Sequence, residues 1–137
     1  MATVDDDLRD GLVQMSFAVI VVLNRVAAEQ DLSLTQLRVL GILRDREPAM
    51  AELAMYLGLE RSTVSGLIDR AVQRGLVRKS ADTADGRSVR VSLTAEARRL
   101  EPRLIAQIGE LMAPMTDRLN SSERKRMTGL LTKALGR

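Results

Sequence analysis

The sequence holds neither cysteine nor histidine. Without cysteine there is no disulfide, no thiolate nucleophile and no Cys-ligated metal. Without histidine the commonest general base and the commonest metal ligand are both missing. Neither G-x-x-x-x-G-K-S/T nor G-x-G-x-x-G occurs, so no glycine loop that cradles phosphates is expected. Carboxylates alone could hold Mg²⁺ or Ca²⁺, but there is no EF-hand and no clustered acidic spacing. Almost every usual route to an enzyme is closed, and no metal or organic cofactor is expected. Aromatics are nearly absent too, with one Phe, one Tyr and no Trp. A core must therefore be built from Leu, Val, Ile, Ala and Met, which at helical spacing favours packed helices.

What is present suffices for such a core. The chain has 137 residues, 45% of them apolar, enough for one domain or two small lobes sharing a core. No uninterrupted apolar run reaches the roughly 18 residues of a membrane span. The N-terminus carries Asp5, Asp6 and Asp7 rather than the basic flank of a signal peptide. These features lead us to expect a soluble cytoplasmic protein with no membrane partner. The net charge of +3 is unevenly spread: residues 1–48 carry −3, residues 49–94 carry +2 and residues 95–137 carry +4. Arginines outnumber lysines 18 to 3, which suits bidentate phosphate recognition and equally suits a GC-rich codon bias.

The opening segment, DDDLRDGLVQMSFAVIVVLNRVAAEQ, contains a valine-rich run that could be a strand. Against that, Leu8, Leu12, Met15, Val19, Val22 and Val26 recur at 4, 3, 4, 3, 4, a heptad seam. Val13, Phe17, Ile20 and Ala27 form a second stripe beside it. This predicts a helix over about 6–29 that is apolar on two faces. A surface helix needs only one, so a second subunit is expected to cover the other, the alternative being the central helix of a monomer. Ser33 and Gln36 then fit a capping box, Leu37, Leu40 and Leu43 point inward, and Pro48 serves as a stop. Two short helices follow. The first has Leu53, Ala54 and Leu57 inside and ends at Gly58. The second has Val64, Leu67, Ile68, Ala71 and Val72 inside and ends at Gly75, which suits a left-handed cap with Leu76 as its apolar partner.

After Gly75 the period changes from 3.6 to 2. LVRKS reads as a strand, and SVRVSL pairs back with Val89, Val91 and Leu93 on its inner side. Thr94 can cap a new helix with the stripe Ala97, Leu100, Leu104, Ile108, Leu111 and Met115. Pro102 and Pro114 should bend that helix or end it locally. Asn120 or Ser121 caps a last helix with Met127, Leu130, Leu131, Ala134 and Leu135 apolar. The expected fold is mainly α with a small β-hairpin wing. Residues 1–30 and 95–137 would make a helical dimerisation lobe, and residues 31–94 a winged helix-turn-helix domain.

Two short helices, a tight turn and a hairpin follow one another in the order of a winged helix-turn-helix. The outer face of the second helix carries Arg61, Ser62, Thr63, Ser65, Gly66, Asp69, Arg70, Gln73 and Arg74. Small hydroxyls near a helix start let a duplex approach and donate to phosphates. Arg70 and Arg74 could reach bases or phosphates further on. A merely solvated face would usually carry Glu and Lys on its first turn. Residues 61–90 hold 7 basic and 3 acidic groups, which favours contact with double-stranded DNA.

Three stretches resemble the MarR family of transcriptional regulators: LSLTQLRVL (32–40), ELAMYLGLERSTVSGLIDRAVQRGLV (52–77) and DTADGRSVRVSLT (82–94). The wing pattern is the most specific of them: Asp, two residues, Asp, one residue, Arg, then an alternating strand ending Leu-Thr. With its flanking helices the resemblance covers nearly the whole chain. It implies a homodimer that holds recognition helix 61–74 in the major groove and wing 81–90 in the minor groove of an inverted-repeat operator, in most cases as a repressor. It also implies that Arg87 enters the minor groove and that Asp85 braces the wing, with Ser88 and Arg90 beside them. Thr83 stands where proline is common, Gly86 where a second basic residue often sits, and Gly66 where a larger polar residue is usual. The dimer interface is expected to use Leu8, Leu12, Met15, Val19, Leu111, Met115, Met127, Leu130, Leu131 and Leu135. A small lipophilic or anionic effector would meet Met15, Phe17, Val21, Leu37 and Arg38, although these residues read more readily as core. A winged-helix protein–protein adaptor remains the alternative.

Overall fold

The computed structural model describes residues 3–82, 84 and 86–137. Its elements run α1 (Val4–Glu29), α2 (Leu34–Ile42), α3 (Met50–Leu57), α4 (Arg61–Gln73), β1 (Val77–Ala81), β2 (Val89–Leu93), α5 (Ala95–Thr116) and α6 (Ser121–Ala134). They form two compact units. One comprises Met1–Val22 with Ala106–Arg137, the other Leu23–Ile105, so the divisions fall inside α1 and α5.

The 23–105 unit has a close aliphatic core. Leu43, Leu53, Ile68, Val26, Val39, Val64, Val77 and Val91 are its largest fully buried side chains, each contributing about 1.5–3 kcal/mol by leaving water. The helix starts follow from short polar caps. Ser33 and Gln36 close the expected capping box, with Gln36 N–H donating to Ser33 Oγ at 3.1 Å and Ser33 N–H to Gln36 Oε1 at 3.2 Å. Thr94 Oγ1 accepts from Ala97 N–H at 3.1 Å and donates to the Gly75 carbonyl at 2.6 Å. The helix-turn-helix geometry depends on two glycines in the left-handed region, Gly58 at φ 66° and Gly75 at φ 75°. At the second, Leu76 N–H reaches back to Ala71 O and Gly75 N–H to Val72 O, which closes α4 with the Schellman pattern.

β1 and β2 pair antiparallel with Val77 opposite Leu93 and Ala81 opposite Val89. The segment before α3 touches β2 through one isolated bridge. Ala49 bridges Arg90, and Val91 N–H donates to Pro48 O at 3.0 Å. β2 is therefore covered differently from a simple alternating strand. Val89 is exposed, whereas Val91, Ser92 and Leu93 are all buried.

Other expectations also change. Val72 is exposed rather than buried, because it falls on the edge of the α4 stripe. α2 ends at Ile42, with Leu43 as its C-cap, so Pro48 is not what stops it. α5 runs unbroken past Pro102 and Pro114: each costs a hydrogen bond, but the rest of the ladder holds. α1 is also long and apolar enough to cross a membrane, with mean hydropathy 1.7 over an 18-residue window. A search for an uninterrupted apolar run misses this because Ser16 and Asn24 punctuate the segment.

In the other unit Thr3 and Asp6 cap α1 reciprocally, both bonds at 3.1 Å. Asn120 and Glu123 cap α6 at 2.9 and 3.0 Å. Burial is sparse here. α6 has no buried residue, and in α1 only Val26 and Ala27, both in the 23–105 unit, are buried.

Candidate nucleic-acid interface

The buried stripe of α4 (Val64, Leu67, Ile68 and Ala71) fixes which residues face outward. Arg61, Ser62, Thr63, Ser65, Asp69, Arg70 and Gln73 are exposed on the other side, and Gly66 is half-buried among them. The start of this helix has no side-chain cap, since Glu60 occupies the N-cap in an extended conformation without bonding an amide. Its first-turn N–H groups are therefore free of intrahelical partners. Arg70 lies back along the helix: its Nη1 is 3.6 Å from where a Cβ at Gly66 would stand. The glycine thus leaves room for the guanidinium. Asp69 accepts from Lys79 Nζ of β1 at 2.5 Å, pinning the wing to the recognition face.

The wing is held from inside. Asp82 N–H donates to Ser88 O at 3.0 Å, closing the loop. Ala84 N–H donates to Asp82 Oδ1 at 2.9 Å, an Asx-type turn. Arg90 Nε meets Asp82 Oδ2 at 3.1 Å, and Arg90 Nη1 donates to Glu47 O at 2.8 Å. Arg87 is exposed on this loop, Gly86 is exposed before it, and Ser88 is half-buried after it. Asp85 and Thr83 lie outside the described residues.

Several residues named from the sequence are occupied otherwise. Arg74 is the C-cap of α4 rather than part of its face, and its guanidinium donates to Gln30 O at 2.7 Å and Asp31 O at 2.6 Å. It fastens the end of α4 to the turn after α1. Arg90 is a strut of the wing base, as described above. Leu37 is buried in the core. Arg38 donates to Tyr56 O at 2.9 Å and Leu57 O at 3.4 Å, capping α3 with positive charge where a helix end favours it. Arg38 and Arg74 reach partners 18 to 44 positions away, Arg90 reaches Glu47 43 positions away, and Leu37 is set by packing, so no local spacing signals these roles. Lys79 was missed for the same reason. Between the N-terminus of α2 and α4 lies a polar hollow of about 450 Å³ lined by Asp31, Ser33, Gln36, Arg70, Gln73 and Arg74.

Met15, Phe17 and Val21 are exposed on α1, as are Leu8 and Leu12, and Leu130, Leu131 and Leu135 are exposed on α6. Val19, Leu111, Met115 and Met127 are half-buried. Within this unit an apolar hollow of about 430 Å³ opens between α1 and the α5–α6 hairpin, lined chiefly by Met15, Ala18, Met115, Leu119 and Met127. Among the described residues no three His, Cys, Asp or Glu side chains gather as a metal site.

A sequence model of the MarR family matches residues 30–88. The HTH-type transcriptional repressor NicR of Pseudomonas putida is 31% identical over 110 residues, which are 80% of this chain and 70% of NicR. The chain belongs to the MarR family. Its relatives are transcriptional regulators and not enzymes, and this MarR-family chain is read as one of them. Solved structures agree on the winged-helix fold. A variant of Escherichia coli MarR complexed with operator DNA superposes with TM-score 0.72 at 22% identity, covering 98% of this chain and 99% of that one. CouR of Rhodococcus jostii bound to p-coumaroyl-CoA superposes with TM-score 0.79 at 22% identity, covering 98% and 95%.

Proposed function

We propose that this MarR-family regulator acts as a cytoplasmic repressor that binds an inverted-repeat operator as a homodimer. In this reading α4 enters the major groove and the wing around Arg87 enters the flanking minor groove. The observation that carries it is the outer face of α4, with Arg61, Ser62, Thr63, Ser65 and Arg70 exposed beside an uncapped helix start. Free amides and small hydroxyls at a helix start suit phosphate oxygens. A guanidinium one turn further on suits guanine or phosphate. An adaptor surface would instead be expected to be apolar at its centre, and of the residues on this helix only Val72 is a large exposed apolar one.

The dimer reading is supported by the apolar side chains left uncovered on α1 and α6. Exposed patches of that kind mark surfaces that associate, and a second copy offers the matching face. The alternative that α1 enters a membrane is disfavoured because the acidic start and the DNA-reading unit belong to the same chain. Release by a small lipophilic or anionic effector is part of the proposal, in keeping with the p-coumaroyl-CoA bound to CouR. Of the effector contacts named from sequence, Met15, Phe17 and Val21 stay available, while Leu37 and Arg38 serve the core and the α3 cap.

The experiment is selection of bound sequences from random duplex DNA at two salt concentrations. Enrichment of an inverted repeat with half-sites about one turn, roughly 34 Å, apart supports the reading. Weak binding without enrichment defeats it.

A further inference from the structure

Among the described residues, four of the six helices begin on a short polar side chain that caps them: Thr3, Ser33, Thr94 and Asn120. A fifth, α3, begins at Ala49, whose backbone is engaged by the Arg90 bridge and by Glu52. Only α4 begins on an acidic residue, Glu60, and that residue caps nothing. Its side chain is exposed and makes no hydrogen bond or ion pair among the described residues. Such a choice forgoes stability, because Ser, Thr, Asp or Asn at an N-cap bonds the second or third amide and Glu does not. Favourable charge at the positive end of the helix does not account for it either. Aspartate would supply the same charge and the cap together.

What glutamate adds is reach. Its carboxylate stands one residue before Arg61, Ser62 and Thr63, at the end of α4 proposed to meet DNA. Towards phosphates it is repulsive, so it lowers affinity for DNA in general. In the major groove, however, a carboxylate has a fitting partner in the exposed N4 amino group of cytosine, which it accepts from. We infer that Glu60 is a specificity-determining residue that selects cytosine at one position of each half-site while weakening binding to other sequences. This inference rests on the proposed DNA-reading role of α4.

The test repeats the selection from random duplexes with the wild type, Glu60→Gln and Glu60→Ser, alongside thermal melts. The wild type is expected to enrich an inverted repeat with cytosine fixed at one position per half-site. Both variants should lose that preference by about fivefold or more, and bind non-specific DNA more tightly. Glu60→Ser should also raise Tm, since it restores a cap, which shows that a lost preference is not a lost fold. If the variants enrich the same repeat with cytosine unchanged, Glu60 reads no base and the inference is overturned. If the wild type enriches no repeat at all, the DNA-reading role of α4 fails first and the inference with it.

Discussion

Arg90 and Asp82 form an ion pair at 3.1 Å that ties the second wing strand to the foot of the wing loop. The Asp82 carboxylate is only 10% exposed and also accepts from Ala84 N–H, while Arg90 reaches on to Glu47 O. Arg90→Ala therefore removes one ion pair from a largely buried carboxylate and one hydrogen bond from the Glu47 carbonyl. We expect a loss of about 1–2 kcal/mol in urea unfolding. Operator affinity should fall because the wing loosens, yet the slope of log K against log salt should stay as in the wild type. A slope lowered by about one would mean that Arg90 sits on a phosphate.

Arg87 and Arg74 should give opposite results. Arg87→Ala is expected to weaken binding to all duplexes and to lower the salt slope by about one. Arg74→Ala removes two charge-assisted bonds to Gln30 and Asp31. It should cost about 1.5 kcal/mol of stability and leave the salt slope intact. Parallel urea titrations and binding isotherms at several salt concentrations separate the two roles.

Leu12 and Leu131 are exposed within the chain and belong to the proposed subunit interface. Leu12→Asp or Leu131→Asp would bury a charge against apolar surface in a dimer, which is strongly unfavourable. Sedimentation velocity should then show a monomer, still folded by circular dichroism, with operator affinity reduced. A variant that sediments as the wild type would place the interface elsewhere.

Because there is no histidine or cysteine, no side chain ordinarily titrates between pH 6 and 8. Stability and operator affinity are expected to be nearly flat across that range in a calorimetric and binding series. Acid is different. The Thr3 backbone and hydroxyl bonds, with Arg9 beside them, hold the Asp6 carboxyl below its ordinary pKa. A depressed folded pKa contributes stability that is fully present above the unfolded value and is lost as pH falls through the folded one. Protection of the amides at the start of α1, corrected for the intrinsic exchange rate at each pH, should therefore fall only in acid.

The element order was readable because its signals are local. The Ser33–Gln36 box, the glycines at 58 and 75 and the change of period after Gly75 each depend on neighbours in the chain. The outer face of α4 followed from the same periodicity. What stayed hidden is long-range: the bridge at Ala49, the Lys79–Asp69 pin and the duties of Arg38, Arg74 and Arg90. An arginine looks the same in sequence whether it reaches out for phosphate or back for a carbonyl. The prolines misled for a related reason. Pro102 and Pro114 each lower the local preference for helix, but the continuing ladder and the buried Ala97 and Leu104 outweigh them.

The bridge at Ala49 has a mechanical consequence. α3 starts from a segment that is bonded into β2, α4 is pinned to β1 through Asp69, and Thr94 locks the end of α4 to the start of α5. The two parts proposed to touch DNA are thus jaws of one caliper whose gap is set when the chain folds. A duplex gripped by both must present its grooves at that fixed interval. One inserted base pair, about 3.4 Å of rise, between the two footprints is therefore expected to weaken binding.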